Sequence, residues 1–411
     1  MKKSVLRALV LTLVCCQWVI PAPLRAAAER RMLVEVELRQ AGDVNALQQL
    51  GLDIAGRVGP DRLQLIASAD ELAALRQAGW SVKVLETDLV SRFARTINTD
   101  GALDGYHTYA EMLAEMQQIA AAYPNLVKLV DIGDSWEKTQ GLADRDIWAL
   151  KISDQPEVDD PNKPDVLIMG CHHARELITV EIPLAIAAFL TQNHASDRAA
   201  RALVNGREIW IVPMVNPDGH VYVETTDPMW RKNRNNNGFT VPLLQGVDIN
   251  RNYGYMWGYD REGSSVLPMS EDYRGSGPFS EPETQAIRDL VEAHNFTFSL
   301  SYHSYGNYFL FPWDYHAEDT PDDAVFNLLG RIYSFWNGYV YGNVADGLMY
   351  VTNGDSDDWM YGEQTTKDKV FGVTVEVGDE FQPPSDQIPA LVNENLTPAL
   401  MMIAMAGWLM P

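Results

Sequence analysis

The sequence predicts an α/β fold: a large domain whose central sheet is covered by helices on both faces, preceded by a small α+β domain. Three observations carry this. Five runs downstream of residue 106 are almost continuously apolar and rich in β-branched residues, as strands buried on both faces must be. Segments with helical spacing lie between them, and that alternation is the signature of a layered α/β sheet. Between residues 31 and 88, a strand and helix unit occurs twice.

The first stretch, residues 1–28, has a basic start (Lys2, Lys3, Arg7), an apolar run and a small-residue end at Ala26, Ala27 and Ala28. That order reads as a secretory signal peptide, and the apolar run is short for a permanent membrane helix. The expectation is an exported protein, periplasmic or extracellular, with no stable membrane insertion once the leader is removed. Cys15 and Cys16 lie in this leader, so only Cys171 would remain and no internal disulfide is expected. Removing its four cations takes the formal charge from −24 to −28. Such a body repels nucleic acid and anionic lipid and attracts cationic substrates.

The small domain, residues 29–88, opens with "MLVEVEL", in which Val34, Val36 and Leu38 alternate with Glu35 and Glu37 as in a half-buried strand. "ALQQLGLDI" returns as "ALRQAGWSV", each a short helix ended by a glycine, Gly51 or Gly79. Ser68 and Glu71 form a capping box for the second helix. The pair of units predicts a split βαβ domain. Residues 89–105 are polar and irregular and read as a linker, in which Arg92 and Arg95 offer a trypsin-like protease a place to cut.

The large domain, residues 106–411, begins with a helix capped by Thr108 and Glu111, with Met112, Met116 and Ile119 on one face and Pro124 as its stop. "DIWALKI", "DVLIMG", "EIWIVPMVN", "FTFSLSYH" and "VFGVTVEV" are the predicted strands; "TVEIPLAIAAFLTQ" and "EPETQAIRDLVEAH" are the clearest helices. "GCHHARELITVE" follows the strand "DVLIMG" and precedes a helix. Its polar residues therefore sit beyond the carboxyl end of a strand, where open α/β sheets bind ligands. A histidine and a glutamate three residues apart in such a loop can turn toward one point and offer two ligands that zinc accepts, with a third still required.

Eight motifs in one order, "HARE", "NPDG", "WRKNR", "GVDINRNY", "FSEPET", "YHSYG", "SDDW" and "VEVGD", give the stretch from Tyr106 to the C-terminus a resemblance to the zinc metallocarboxypeptidases, the family of pancreatic carboxypeptidases A and B and bacterial carboxypeptidase T. The resemblance implies a mixed sheet and one Zn2+ held by His173, Glu176 and His303. It implies Glu376 as the general base and Arg231 as the stabiliser of the oxyanion. It further implies Asn250 and Arg251 as the clamp on the substrate's terminal carboxylate, Tyr350 as a mobile closing residue, and Arg175 as an outer carboxylate contact. His172 precedes the ligand register and is given no metal contact, Asp358 is read as structural, and the small domain takes the position of the family's inhibitory propeptide.

Specificity in this family is set by the pocket floor. Asp357 stands where B-type enzymes have aspartate, Asp355 resembles the acidic pocket residue of carboxypeptidase T, and Asp314 falls where the digestive enzymes have a small residue. The expectation is cleavage of peptide or protein C-termini ending in Lys or Arg, with apolar residues also tolerated. The segment between Tyr361 and Glu376 is longer than in the digestive enzymes. Ca2+ is a candidate second cation for the acidic loops. Two other readings stand beside this one: a peptidoglycan stem-peptide carboxypeptidase or amidase on the same scaffold, and a non-catalytic zinc-holding module, against which Glu376 and Arg231 argue.

Overall fold

A computed structural model describes residues 30–40, 42–59, 61–94 and 103–409. The leader at 1–28, and Arg95 in the linker, lie outside the described residues.

The N-terminal domain runs β1 (Met32–Glu37), α1 (Asp43–Gln48), β2 (Asp53–Arg57), β3 (Arg62–Ala67), α2 (Ala69–Gln77) and β4 (Val82–Glu86), followed by a short helix α3 (Leu89–Phe93). Its strands pair in the order β2-β3-β1-β4, all antiparallel, around a core that includes Val34, Val36, Leu47, Leu63 and Leu65. Both arms of the Ser68 and Glu71 capping box are made. Gly51 and Gly79 hold φ of +69° and +86°, the left-handed conformation that ends a helix at low cost for glycine.

The large domain continues with α4 (Tyr109–Ala122), β5 (Val127–Asp134), α5 (Trp136–Thr139), β6 (Asp146–Ile152), β7 (Asp165–Met169), α6 (Ile178–Asn193), α7 (Arg198–Gly206), β8 (Glu208–Val212), α8 (Pro217–Thr225), α9 (Pro282–Ala293), β9 (Phe296–His303), β10 (Tyr308–Leu310), α10 (Asp323–Asn337), β11 (Val340–Gly342), α11 (Ser356–Gly362), β12 (Phe371–Glu376) and α12 (Ile388–Ala406). Its sheet has the order β11-β10-β12-β9-β7-β8-β6-β5 and is mixed: β12, β9, β7 and β8 are mutually parallel, and β5, β6 and β10 pair antiparallel with neighbours. Alternation along β7 sends Val166 and Ile168 into one core, shared with residues of α4, α6 and α12, and Leu167 and Met169 into the other, shared with α9 and α11. Helices cover both faces.

The strand expected over "EIWIVPMVN" stops at Val212, because Pro213 cannot donate to a ladder and the chain turns into α8 at Pro217. At the other end of the reading, the linker is not irregular from its first residue. Asp88 caps α3 through Ser91 N at 2.9 Å, Phe93 is buried against the large domain, and Arg92 pairs with Glu380 at 2.5 Å. Arg92 therefore stands on a docked helix, not on the extended segment expected around it.

The two domains pack together. Ala55, Ile66, Leu89 and Phe93 share an apolar cluster with Met229, Tyr305 and Phe381. Polar contacts surround it: Tyr305 Oη donates to Gln64 at 2.6 Å, Tyr308 Oη to the Arg57 carbonyl at 3.0 Å, and Asn45 to Glu262 at 2.9 Å. Among the described residues, no helix is long and apolar enough to cross a membrane.

Candidate active site

Parallel pairing brings the carboxyl ends of β7, β9 and β12 side by side. Met169 lies opposite Ser301, and Glu376 lies directly opposite His303. The chain leaving β7 must then turn sharply, and Gly170 permits it: a Cβ there would sit 2.0 Å from the Thr179 carbonyl oxygen. The turn delivers His173 and Glu176 toward the end of β9.

Three donor atoms converge. His173 Nδ1 lies 2.8 Å from Glu176 Oε1, His303 Nδ1 lies 3.1 Å from Glu176 Oε2, and the two Nδ1 atoms are 3.1 Å apart. All three side chains are buried. Two imidazole nitrogens and a carboxylate at this spacing suit a small divalent cation such as Zn2+, whose bonds to such donors are about 2.0–2.2 Å long, and they leave one side open. Burial pushes the Glu176 carboxyl up, but the two imidazoles outweigh it and hold it below its ordinary value.

Asp248, to which the sequence reading gave no role, links this triad to Arg231. Its Oδ1 lies 3.2 Å from His173 Nε2 and its Oδ2 accepts from Arg231 Nε and Nη2 at 3.1 and 2.8 Å. Arg231 holds the Asp248 carboxyl well below the usual range despite complete burial. The signal was present in "GVDINRNY", as an acid two residues before Asn250. Burial and the nearby Glu176 push the Glu376 carboxyl well above its ordinary value.

Eleven of the twelve residues singled out from the sequence line one cleft: His173, Glu176, Arg231, Asn250, Arg251, His303, Asp314, Tyr350, Asp355, Asp357 and Glu376. Asn250 and Arg251 sit on a single 3-10 turn capped by Asp248. Asn250 Oδ1 accepts from Ser356 N at 3.0 Å, and the buried Nε of Arg251 has no hydrogen-bond partner among the described residues. Tyr350 also packs against the core of the N-terminal domain. Arg175 is placed differently: fully buried, it stacks its guanidinium 4.2 Å from the Phe381 ring and gives both Nη groups to Asp53 of the N-terminal domain, at 2.6 and 2.8 Å. Ile54, Ala55, Gly56 and Arg57 of β2 complete the cleft wall.

The acidic end of the cleft is built on the first turn of α11. Asp355 caps that helix through Asp358 N at 2.9 Å and accepts from Thr352 Oγ1 at 2.6 Å. Asp358 accepts from the backbone nitrogens of Asp314 and Tyr315, at 3.1 and 3.0 Å, as its structural reading requires. Among the described residues, the Asp357 and Asp314 carboxylates accept no comparable backbone bonds, although Thr374 and Ser356 bond Asp357 through their side chains. Burial, then Asp355, pushes Asp357 up to about 8, and the same two causes raise Asp314 well above its usual value. Asp314, Asp355 and Asp358 bring oxygens within 4.8 Å of one another, but Asp355 already accepts from a helix N–H and the Thr352 hydroxyl, and Asp358 from two loop N–H groups, a poor donor set for Ca2+.

A family model described as "Peptidase_M14: Zinc carboxypeptidase" matches residues 112–398. A zinc carboxypeptidase of Saccharothrix mutabilis subsp. capreolus is 32% identical over 378 residues, covering 86% of this chain and 83% of that protein. Carboxypeptidase A1 of Rattus norvegicus is 30% identical over 354 residues, covering 80% and 81%. The solved carboxypeptidase A of Helicoverpa armigera superposes with a TM-score of 0.77 at 25% identity, over 93% of this chain and 98% of that one.

Proposed function

The chain belongs to the zinc carboxypeptidase family, and from that premise we propose that it removes Lys or Arg from peptide C-termini, with apolar residues tolerated, at the cleft centred on His173, Glu176 and His303. The observation that carries the reading is the meeting, in one cleft, of the three convergent donors, Asn250 and Arg251, and two aspartates, Asp314 and Asp357, that cap no helix.

His173 Nδ1, Glu176 and His303 Nδ1 would hold the Zn2+, which supplies Lewis acidity toward the scissile carbonyl and the attacking water. Glu376 takes a proton from that water and returns it to the departing amine. Arg231, oriented by Asp248, donates to the oxygen on which negative charge develops; loss of such a donor costs about 10²–10³ in rate. Arg251 offers a planar fork to the terminal carboxylate beside Asn250, and Tyr350 closes over the terminal residue. Asp357 and Asp314 then receive the basic side chain. A stem-peptide terminus with a side-chain carboxylate would face these same aspartates, which weighs against the peptidoglycan reading.

The Asp53 carboxylate on Arg175 and the run of β2 along the cleft support a second part of the reading: residues 29–88 are a propeptide that must leave before large substrates enter. Residues 1–28 are its export leader, and residues 106–411 are the catalytic domain. Between the candidate cleavage positions, Arg92 is held in a helix, so release falls to Arg95. The test is a comparison of kcat/KM on substrates differing only in a C-terminal Arg, Phe or Glu, with zinc-loaded mature protein. A Phe preference above Arg would sink the specificity.

A further inference from the structure

The two candidate metal-binding histidines are oriented by different means. The His173 ring is fixed by a hydrogen bond, since its Nε2 faces Asp248 Oδ1 at 3.2 Å. Such an outer partner sets the plane and tautomer of a ligand imidazole. His303 lacks that device: its Nε2 is buried without a protein partner among the described residues. What lies on its face is His172, with ring centroids 5.4 Å apart and planes 17° from parallel.

His172 is itself held at both ends. Its Nε2 lies 2.8 Å from Tyr253 Oη, and its Nδ1 lies 3.3 Å from Ser301 Oγ, two residues before His303 on β9. Its carbonyl accepts from Asn216 Nδ2 at 3.1 Å, so the backbone behind the ring is tethered as well. The side chain is fully buried, and its ring nitrogens face these hydroxyls, not the three converging donors. A buried imidazole with both nitrogens satisfied is a rigid plate.

We propose that His172 is a positioning residue for His303: by stacking on its face it fixes the plane in which the His303 Nδ1 lone pair points, the task that Asp248 performs for His173. The proposal rests on reading His303 as a metal ligand. It assigns the doubled histidine two separate jobs, His173 as donor and His172 as the backing of the other donor.

The test uses the full chain and reads metal binding, not turnover. Zn2+ affinity is measured by competition with a chromogenic chelator, and the Co2+-substituted protein is examined by its visible absorption, which reports ligand geometry. His172→Gln can keep bonds to Tyr253 and Ser301 but removes the stacked ring; a weakening of about 10–100-fold and an altered Co2+ band are expected. The double variant His172→Phe with Tyr253→Phe keeps a stacked ring and removes the hydroxyl it would orphan, and it should bind Zn2+ within about threefold of wild type. Affinity and spectrum unchanged in H172Q overturn the proposal, as does a failure of the phenyl ring to restore binding. Should H172Q not fold, the comparison moves to H172L/Y253F against H172F/Y253F, which differ in the ring alone; equal affinities overturn it. A wild-type chain that takes up no Zn2+ would instead refute the reading of the site itself.

Discussion

The Asp53 and Arg175 contact makes a quantitative prediction about latency. The Arg175 side chain is 0% and Asp53 11% exposed, and the pair is bidentate, so neither charge has water to fall back on. Removing one partner of such a pair costs about 3–5 kcal/mol, most of it the penalty of leaving the other charge buried and alone. Asp53→Ala leaves the apolar cluster around Phe93 and Phe381 and the more exposed Arg92–Glu380 and Arg31–Asp227 pairs, each worth about 0–1 kcal/mol. A loss of about 3 kcal/mol shifts the docked-to-undocked ratio of the N-terminal domain by about 150-fold. The assay is hydrolysis of a small C-terminal Arg substrate by the uncleaved, zinc-loaded chain. Uncleaved D53A should exceed uncleaved wild type by at least about tenfold, short of the full shift to the extent that water reaches the lone Arg175 while the domain stays docked. After linker cleavage and removal of the N-terminal domain the two should be equal. An uncleaved D53A that folds and is as silent as wild type would refute the reasoning.

Three further outcomes are expected. Asp357→Ile should lower kcat/KM for Arg substrates relative to Phe substrates by about 10–100-fold, with Asp314 retaining part of the Arg preference, read from the same substrate panel. Glu376→Gln should bind Zn2+ like wild type, measured by metal content after dialysis, while kcat falls by about 10²–10⁴; a chelator should abolish wild-type activity and added Zn2+ restore it. His107 is raised to about 10 by its bonds to Glu115 and Glu181, so its contribution to stability is complete below the ordinary histidine value near 6.5 and is lost as pH rises through 10. Discounted for its partial exposure this is about 1–2 kcal/mol, so Tm should fall between pH 7 and 10 in wild type and fall less in His107→Gln.

How much of this could be read beforehand depends on how local each signal is. The strands at β7 and β9, the helix α6 and the capping boxes at Ser68 and Thr108 rest on neighbours within a few residues, and all stand where the pattern put them. β10 and β11 have three residues each, too few to show a period, and their pairing is set by β12 and by each other. In the site, the residues that meet in one cleft, His173, Glu176 and His303 with Asp314, Asp355 and Asp357, could be picked out beforehand because their motifs are compact. Asp248, which joins residues 75 and 17 positions away, and Asp53, 122 residues from Arg175, act across distances that no window of sequence contains. His172 was passed over because its role depends on a ring 131 positions on, which only the β7 and β9 pairing brings beside it.

That pairing also sets the proposed donor His303 and base Glu376 on a different footing from the proposed pocket residues. His303 and Glu376 are cross-strand neighbours in a parallel ladder, and a slip of one residue would turn one of them to the opposite face of the sheet. The ladder is flanked by β7 and β10, with β9 buried along its whole length, so His303 and Glu376 are held in register by backbone hydrogen bonds inside the sheet. Asp357, by contrast, rides on the first turn of α11, and Asp314 on the loop after β10, where a side-chain change leaves the ladder intact. The shared boundary is Thr374, which lies on β12 two residues before Glu376 and bonds Asp357. A substitution there should disturb specificity first, because Thr374 touches the pocket directly and reaches Glu376 only through the strand.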